Sequence, residues 1–314
     1  MGKRTPLKTM LILTMLLLSA CAPSAKPAAG NIQVVATTSI LADIVSQVGG
    51  DLVSVDSLVP AGVNEHEYQP SPRDIAAVSD AALVFQVGLG LEQFMETIIN
   101  NAAGEVNIIT VSEGITAMEL EGGQEHEEET GDGQHEHTTD PHVWLDPSNV
   151  MVWTENITNA LSAIDPANSG VYKENSEAYI AELKALDAWI IEETARVPQD
   201  ARMIVTDHML FGYFAAKYNF TVVGAIIPSY SSLAEPSAQE LASLEDSIRH
   251  YNVRVILVGN TVNPALASRI AKDTGIELIQ FYTGSLSAPD GPASTYLNYM
   301  RYNVSTIVNA LTGE

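Results

Sequence analysis

The stretch from Glu119 to Trp144, ELEGGQEHEEETGDGQHEHTTDPHVW, holds residue types that bind metal. It carries His126, His135, His137 and His142, four of the chain's seven histidines, with nine carboxylates and no Lys or Arg. Neutral imidazole beside carboxylate is the donor set that suits zinc and its neighbours. The same composition cannot build a core, so it equally describes a solvated acidic linker. Elsewhere, His66 lies in Glu65-His66-Glu67-Tyr68 and His208 follows the apolar run Met203-Ile204-Val205. His250, between Arg249 and Tyr251 near a helix end, reads as a capping or surface residue. The metal to expect is Zn2+, because three imidazoles around one point favour it, with a carboxylate or water completing a tetrahedron. A zinc hydrolase is the competing chemistry. It lacks support in the sequence, which has no His-Glu-x-x-His helix and only Glu65 as an obvious general base near a candidate ligand.

Positioning these histidines requires a scaffold, and hydrophobic periodicity outlines one. Residues 32–37 (IQVVAT) read as a buried strand, 38–48 as a helix stopped by Gly49-Gly50, and 52–58 as a second strand. Strand, helix and strand within about 30 residues predict a βαβ unit and a parallel sheet. Further strands are expected at 82–87 and 106–111, with a helix over 91–100 between them. Residues 169–197 form the longest periodic segment, with Tyr172, Tyr179, Leu183, Leu186, Ile190 and Val197 on one face. As a helix it would extend about 42 Å. A second α/β pattern follows, with strands at 201–206, 221–226, 253–258 and 277–282 and helices between and after them. The fold class expected is therefore α/β: two parallel-sheet lobes bridged by one long rigid helix. The boundaries are a lobe over 31–168 with the acidic loop at 119–140, the inter-lobe helix at 169–198, and a second lobe over 199–314. In such open sheets ligands bind beyond the carboxyl ends of the strands. His66, His142 and His208 can all reach a cleft between the lobes from there.

Composition narrows the setting. A chain 46% hydrophobic and 17% charged can bury sizeable cores, and a net charge of −24 argues against nucleic acid as a partner. Residues 1–20 join a basic start to a short apolar run, the form of a secretory signal. That run ends Leu18-Ser19-Ala20-Cys21, which resembles the lipobox of bacterial lipoproteins, with Cys21 the lipidated residue. Cys21 is the only cysteine, so neither a disulfide nor a cysteine metal ligand is available. Residues 21–30 read as a flexible tether. The expected location is extracytoplasmic, lipid-anchored to the cell membrane, and the expected state a monomer.

Four segments together resemble one family. They are Gly62-Val63-Asn64-Glu65-His66-Glu67-Tyr68-Gln69-Pro70, Asp140-Pro141-His142-Val143-Trp144-Leu145-Asp146-Pro147, Thr206-Asp207-His208 with Phe211-Gly212-Tyr213-Phe214, and Thr295-Tyr296-Leu297 through Asn303. The chain is similar to the metal-binding solute-binding proteins of bacterial zinc and manganese ABC transporters (the cluster A-I family). The resemblance implies two lobes bridged by a rigid helix, metal held between them by His66, His142 and His208, and delivery to a membrane permease. Manganese members tend to carry Glu where this chain has His208, so the resemblance points to zinc; a manganese or iron binder is the alternative. The family's fourth ligand is an Asp in a segment like Tyr-Thr-Asp-Ser-Leu, and here Tyr282-Thr283-Gly284-Ser285-Leu286 has no side chain at that place. Glu65, a water or Asp290 is left to fill it. His126, His135 and His137 read as auxiliary ligands in an acidic antenna. Because imidazole must be neutral to bind metal, affinity is expected to fall below about pH 6.

Overall fold

The computed structural model describes residues 31–119 and 139–313; Cys21, His126, His135 and His137 lie outside them. Among the described residues the first half runs β1 (Ile32–Ala36), α1 (Ser39–Gly49), β2 (Val53–Ser57), α2 (Pro72–Asp80), β3 (Leu83–Gln86), α3 (Phe94–Asn101) and β4 (Ile108–Thr110). These strands pair in parallel in the order β2-β1-β3-β4. A 3₁₀ turn at Val143–Leu145 leads into α4 (Pro147–Ile164) and the long α5 (Ser169–Thr194). The second half runs β5 (Met203–His208), α6 (Gly212–Tyr218), β6 (Thr221–Ile227), α7 (Ala238–His250), β7 (Val255–Gly259), α8 (Ala265–Thr274), β8 (Glu277–Phe281) and α9 (Tyr296–Thr312). Its sheet is again parallel, in the order β6-β5-β7-β8, so the two lobes repeat one topology. This is the architecture expected from the sequence.

Local chemistry explains the elements. The central strands are apolar and β-branched because helices cover both their faces. Leu83, Val84 and Phe85 of β3, and Val255 to Val258 of β7, are buried throughout. Thr38 caps α1 by accepting from Leu41 N, and reciprocal capping boxes open α2 (Ser71, Asp74) and α7 (Ser237, Glu240). On α5, Tyr172, Ser176, Tyr179, Leu183, Leu186, Ile190 and Thr194 are buried at intervals of three or four, one continuous stripe. Its 26 residues rise about 39 Å.

The core is layered in a way that couples the lobes. One hydrophobic cluster runs from β1 and α1 through α4 and α5 to Ile204, Phe211, Phe281 and the buried face of α9. A smaller cluster lies outside the first sheet under α2 and α3, and another outside the second under α7 and α8. The long helix is not the sole bridge. The N-terminus of α9 also meets the first lobe, where Tyr296 N donates to Asp43 Oδ2 (2.8 Å) and Tyr296 Oη to the Trp144 carbonyl (2.7 Å). Several element boundaries depart from the expected ones. Strand β5 continues through His208, because His208 pairs with Ile227 and the next amide, Met209 N, bonds Ser229 O; α6 consequently begins at Gly212. Likewise α3 starts at Phe94 after a turn in which Gly88, Leu89 and Gly90 all have positive φ. No helix among the described residues is long and apolar enough to cross a membrane.

Candidate metal centre

The strand ends and one irregular turn bring three imidazoles together. His66 sits in the loop after β2, His142 just before the 3₁₀ turn that starts α4, and His208 at the end of β5. Their ring centroids are 5.7 Å (66 to 142), 5.6 Å (66 to 208) and 5.1 Å (142 to 208) apart. One nitrogen from each lies within 4.8 Å of one from each of the others. His142 and His208 are buried, and the side chain of His66 is 4% exposed. A cavity of about 590 Å³ opens onto His66 and Glu65, with Tyr68, Gln69 and Phe94 on one wall and Ser231 and Leu233 on the other.

Two carboxylates fix how the buried rings face. Asp140 Oδ1 accepts from His142 N (2.9 Å) and lies 2.8 Å from His142 Nδ1. Asp207 Oδ1 accepts from His208 N (2.7 Å) and lies 2.7 Å from His208 Nδ1, while Asp207 Oδ2 accepts from Gly259 N (2.6 Å) and so ties β5 to β7. An aspartate against Nδ1 places the ring proton there and leaves Nε2 as a lone-pair donor. The two Nε2 atoms then point at each other across 3.3 Å. Two lone pairs at that separation repel unless a proton or a metal ion lies between them. Asp140 and Asp207 are not among the site residues expected from the sequence. Their signal was nonetheless present as Asp-Pro-His and Asp-His, an acceptor within two residues of each buried histidine.

His66 is held differently. Its backbone N–H donates to Asn64 Oδ1 (3.0 Å), and Asn64 Nδ2 reaches across the cleft mouth to Ser232 Oγ (3.0 Å). Farther back, Gly62 N donates to Ser285 Oγ (2.6 Å), which pins the same loop to the second lobe. Glu65 is buried, with Oε1 4.0 Å from His66 Nε2. Among the described residues the group of mutually close donor atoms is His66, His142 and His208, and does not include Glu65. The loop at Gly284 is what admits it: a Cβ built there would fall 1.7 Å from Glu65 Oε1 and 2.0 Å from its carboxyl carbon. Asp290 is instead exposed in the turn at residues 289–290 and is not among the mutually close donors. His250 ends α7, exposed, with its ring against Tyr251.

The electrostatics are those of carboxylates and imidazoles in a dry pocket. Burial pushes Glu65 up to about 7, opposed by its own backbone N–H and by His208. Burial likewise lifts Asp140 to about 7 against the His142 amide. At His208 burial works to lower the pKa, but Asp207, Glu65 and Asp140 together outweigh it and raise it. The carboxylates around His208 therefore favour a positive charge at that ring, and a proton and a metal ion would compete for it.

Twin parallel α/β lobes, a shared helical layer and an imidazole trio between strand ends define a metal-binding solute carrier. The family model for the periplasmic component A of the zinc-uptake complex matches residues 34–310, and the chain belongs to that family. The manganese-binding lipoprotein MntA of Halalkalibacterium halodurans is 32% identical over 283 residues, covering 90% of this chain and 89% of its own. A manganese-bound periplasmic metal binding protein from Candidatus Liberibacter asiaticus superposes with a TM-score of 0.76 at 28% identity, over 89% of this chain and 99% of that one. The periplasmic zinc binding protein TroA from Treponema pallidum, at 23% identity, shares the fold with a TM-score of 0.79 over 90% of this chain and 99% of its own. The protein is thus the substrate-binding component of a metal ABC transporter and not an enzyme, which sets the hydrolase reading aside.

Proposed function

We propose that the protein captures Zn2+ outside the cytoplasm and hands it to the membrane permease of its transporter. The observation that carries this reading is the pair of buried, aspartate-backed imidazoles whose Nε2 atoms face each other at 3.3 Å, with His66 as third donor. In this reading His66, His142 and His208 are the protein's nitrogen ligands. Glu65 is the fourth ligand, moving from beside His66 into the coordination sphere. The Gly284 gap supports Glu65 over Asp290, which is exposed. Three nitrogen donors and one carboxylate make a tetrahedral set that suits zinc, whereas manganese prefers oxygen. Manganese is the second reading, favoured by the name of the MntA relative. That relative is named a lipoprotein, which together with Cys21 at the end of the leader supports tethering to the membrane surface by lipid; the chain is read as a monomer. His126, His135 and His137 serve as auxiliary ligands that raise the local concentration of zinc.

Metal analysis of protein purified without chelator tests the assignment, run on the full chain and on a form lacking residues 120–138. One zinc per chain in both forms is expected, with additional, weaker zinc only in the full chain. In competition at equal zinc and manganese concentrations a preference for manganese would sink the zinc assignment, because first-row affinities already favour zinc.

A further inference from the structure

The start of α6, in the second lobe, grips the residue that orients His142, in the first. A Cβ built on Gly212 would fall 2.6 Å from Asp140 Oδ2, closer than real Cβ atoms approach an oxygen. Gly212 does not have the positive φ that would demand glycine for its backbone conformation. What its bare Cα provides is room for that carboxylate. The other oxygen, Oδ1, is the one held against His142 N and Nδ1. The neighbouring Tyr213 fixes the main chain at the same place: its hydroxyl donates to the Asp140 carbonyl (2.9 Å) and accepts from Met118 N (3.0 Å). Asp140 N in turn donates to Met118 O (2.8 Å), and Glu119 bridges Thr139, so these residues form the closed stem of the acidic segment. Asp140 is fully buried and Oδ2 takes no hydrogen bond among the described residues. Side chain and backbone are thus both confined by consecutive residues of one helix, and Asp140 cannot retreat as a body.

We infer that Gly212 is a positioning residue for the metal centre: by leaving space for Asp140, it sets the ring orientation of His142 from the opposite lobe. The inference rests on His142 being a metal ligand, as proposed above. A methyl group at 212 would push the carboxylate off Nδ1 and turn Nε2 away from the shared centre. Loss of such an outer partner costs about 10–100-fold in metal affinity.

The test is a double-mutant cycle on the full chain, with zinc affinity read by competition against a chromophoric chelator. Gly212→Ala is expected to weaken zinc binding at least about tenfold and to weaken the tetrahedral ligand-field bands of the cobalt(II)-substituted protein. Asp140→Ala is also expected to weaken binding, but in that background Gly212→Ala has no carboxylate to displace and should change affinity by less than about twofold, as the cycle isolates their coupling. Binding by Gly212→Ala within twofold of wild type overturns the inference. So does an equal loss with and without Asp140, which would place the effect of Gly212 elsewhere. A wild-type chain that retains no zinc would instead count against the proposed function, so the two failures are distinct.

Discussion

The carboxylate of Glu65 occupies the space in which any side chain at Gly284 would have to stand; the two positions exclude each other, at 1.7 Å from the ideal Cβ. A first-lobe residue beside one histidine thereby stands where the family resemblance would put a side chain from the second lobe. If Glu65 is the fourth ligand, Glu65→Ala loses at least about tenfold in zinc affinity, equivalent to about 1.4 kcal/mol. Adding Gly284→Asp to that variant should recover much of the loss, because the carboxylate then arrives from the other side of the same gap. Gly284→Asp alone sets two carboxylates against each other and should bind worse than wild type. Titration calorimetry on the three variants checks this, and a Glu65→Ala variant that binds zinc as well as wild type would remove Glu65 from the ligand set.

Asp290 provides the contrasting case. It is exposed in a turn, so Asp290→Ala should leave zinc affinity within about twofold of wild type, since exposed charges interact weakly through water. The same calorimetry shows it; a larger drop would return Asp290 to the site.

The loops that carry His142 and Gly284 meet through aromatic groups. Trp144 Nε1 donates to Thr283 O and to Tyr299 Oη, and Tyr299 Oη donates to Thr283 O. Tyr299→Phe removes a buried hydroxyl that serves both loops but leaves Trp144 Nε1 paired with Thr283 O, and should cost about 0.5–1.5 kcal/mol. In a domain of this size each kcal/mol lowers Tm by roughly 2–4 °C. A thermal melt of the metal-free protein measures it, and an unchanged Tm would show that the contact contributes nothing.

Acid stability should depend on the α2 cap. Burial tends to raise the pKa of Asp74, but the Ser71 amide and hydroxyl, the Tyr68 hydroxyl and Arg73 together hold it below its ordinary value of 3.8. A depressed folded pKa means the charged form is favoured by folding. Its contribution is fully present above the ordinary value and is lost as pH falls through the lowered one. The Tm gap between wild type and Asp74→Ala should therefore be widest near neutrality and narrow below about pH 3.8. A gap that widens on acidification would contradict this sign.

Much of this molecule is legible in its residues. The stripe Tyr172, Tyr179, Leu183, Leu186 and Ile190 marks α5 because a helix that buries one face must repeat every three or four positions. His66, His142 and His208 stand out because imidazoles beyond strand ends converge in parallel sheets. What could not be read is what depends on distance between segments far apart in the chain. Gly284 looks like a lost ligand until Glu65, 219 residues earlier, is seen in its place. Gly212 looks like an ordinary helix start until Asp140 is found against its Cα. The second bridge through α9 escaped for the same reason, since Tyr296 carries no periodic signature of its partner Asp43.

The continuous hydrophobic cluster through both lobes bears on how cargo leaves. Swinging the lobes apart would expose the interior that holds each of them folded, at a cost on the scale of unfolding itself. If His66, His142 and His208 hold the ion, its departure is a contest between donors, in which an acceptor offers its own ligands through the opening beside His66. Unloading on this plan is substitution chemistry, and its rate should rise with the concentration of the competing ligand.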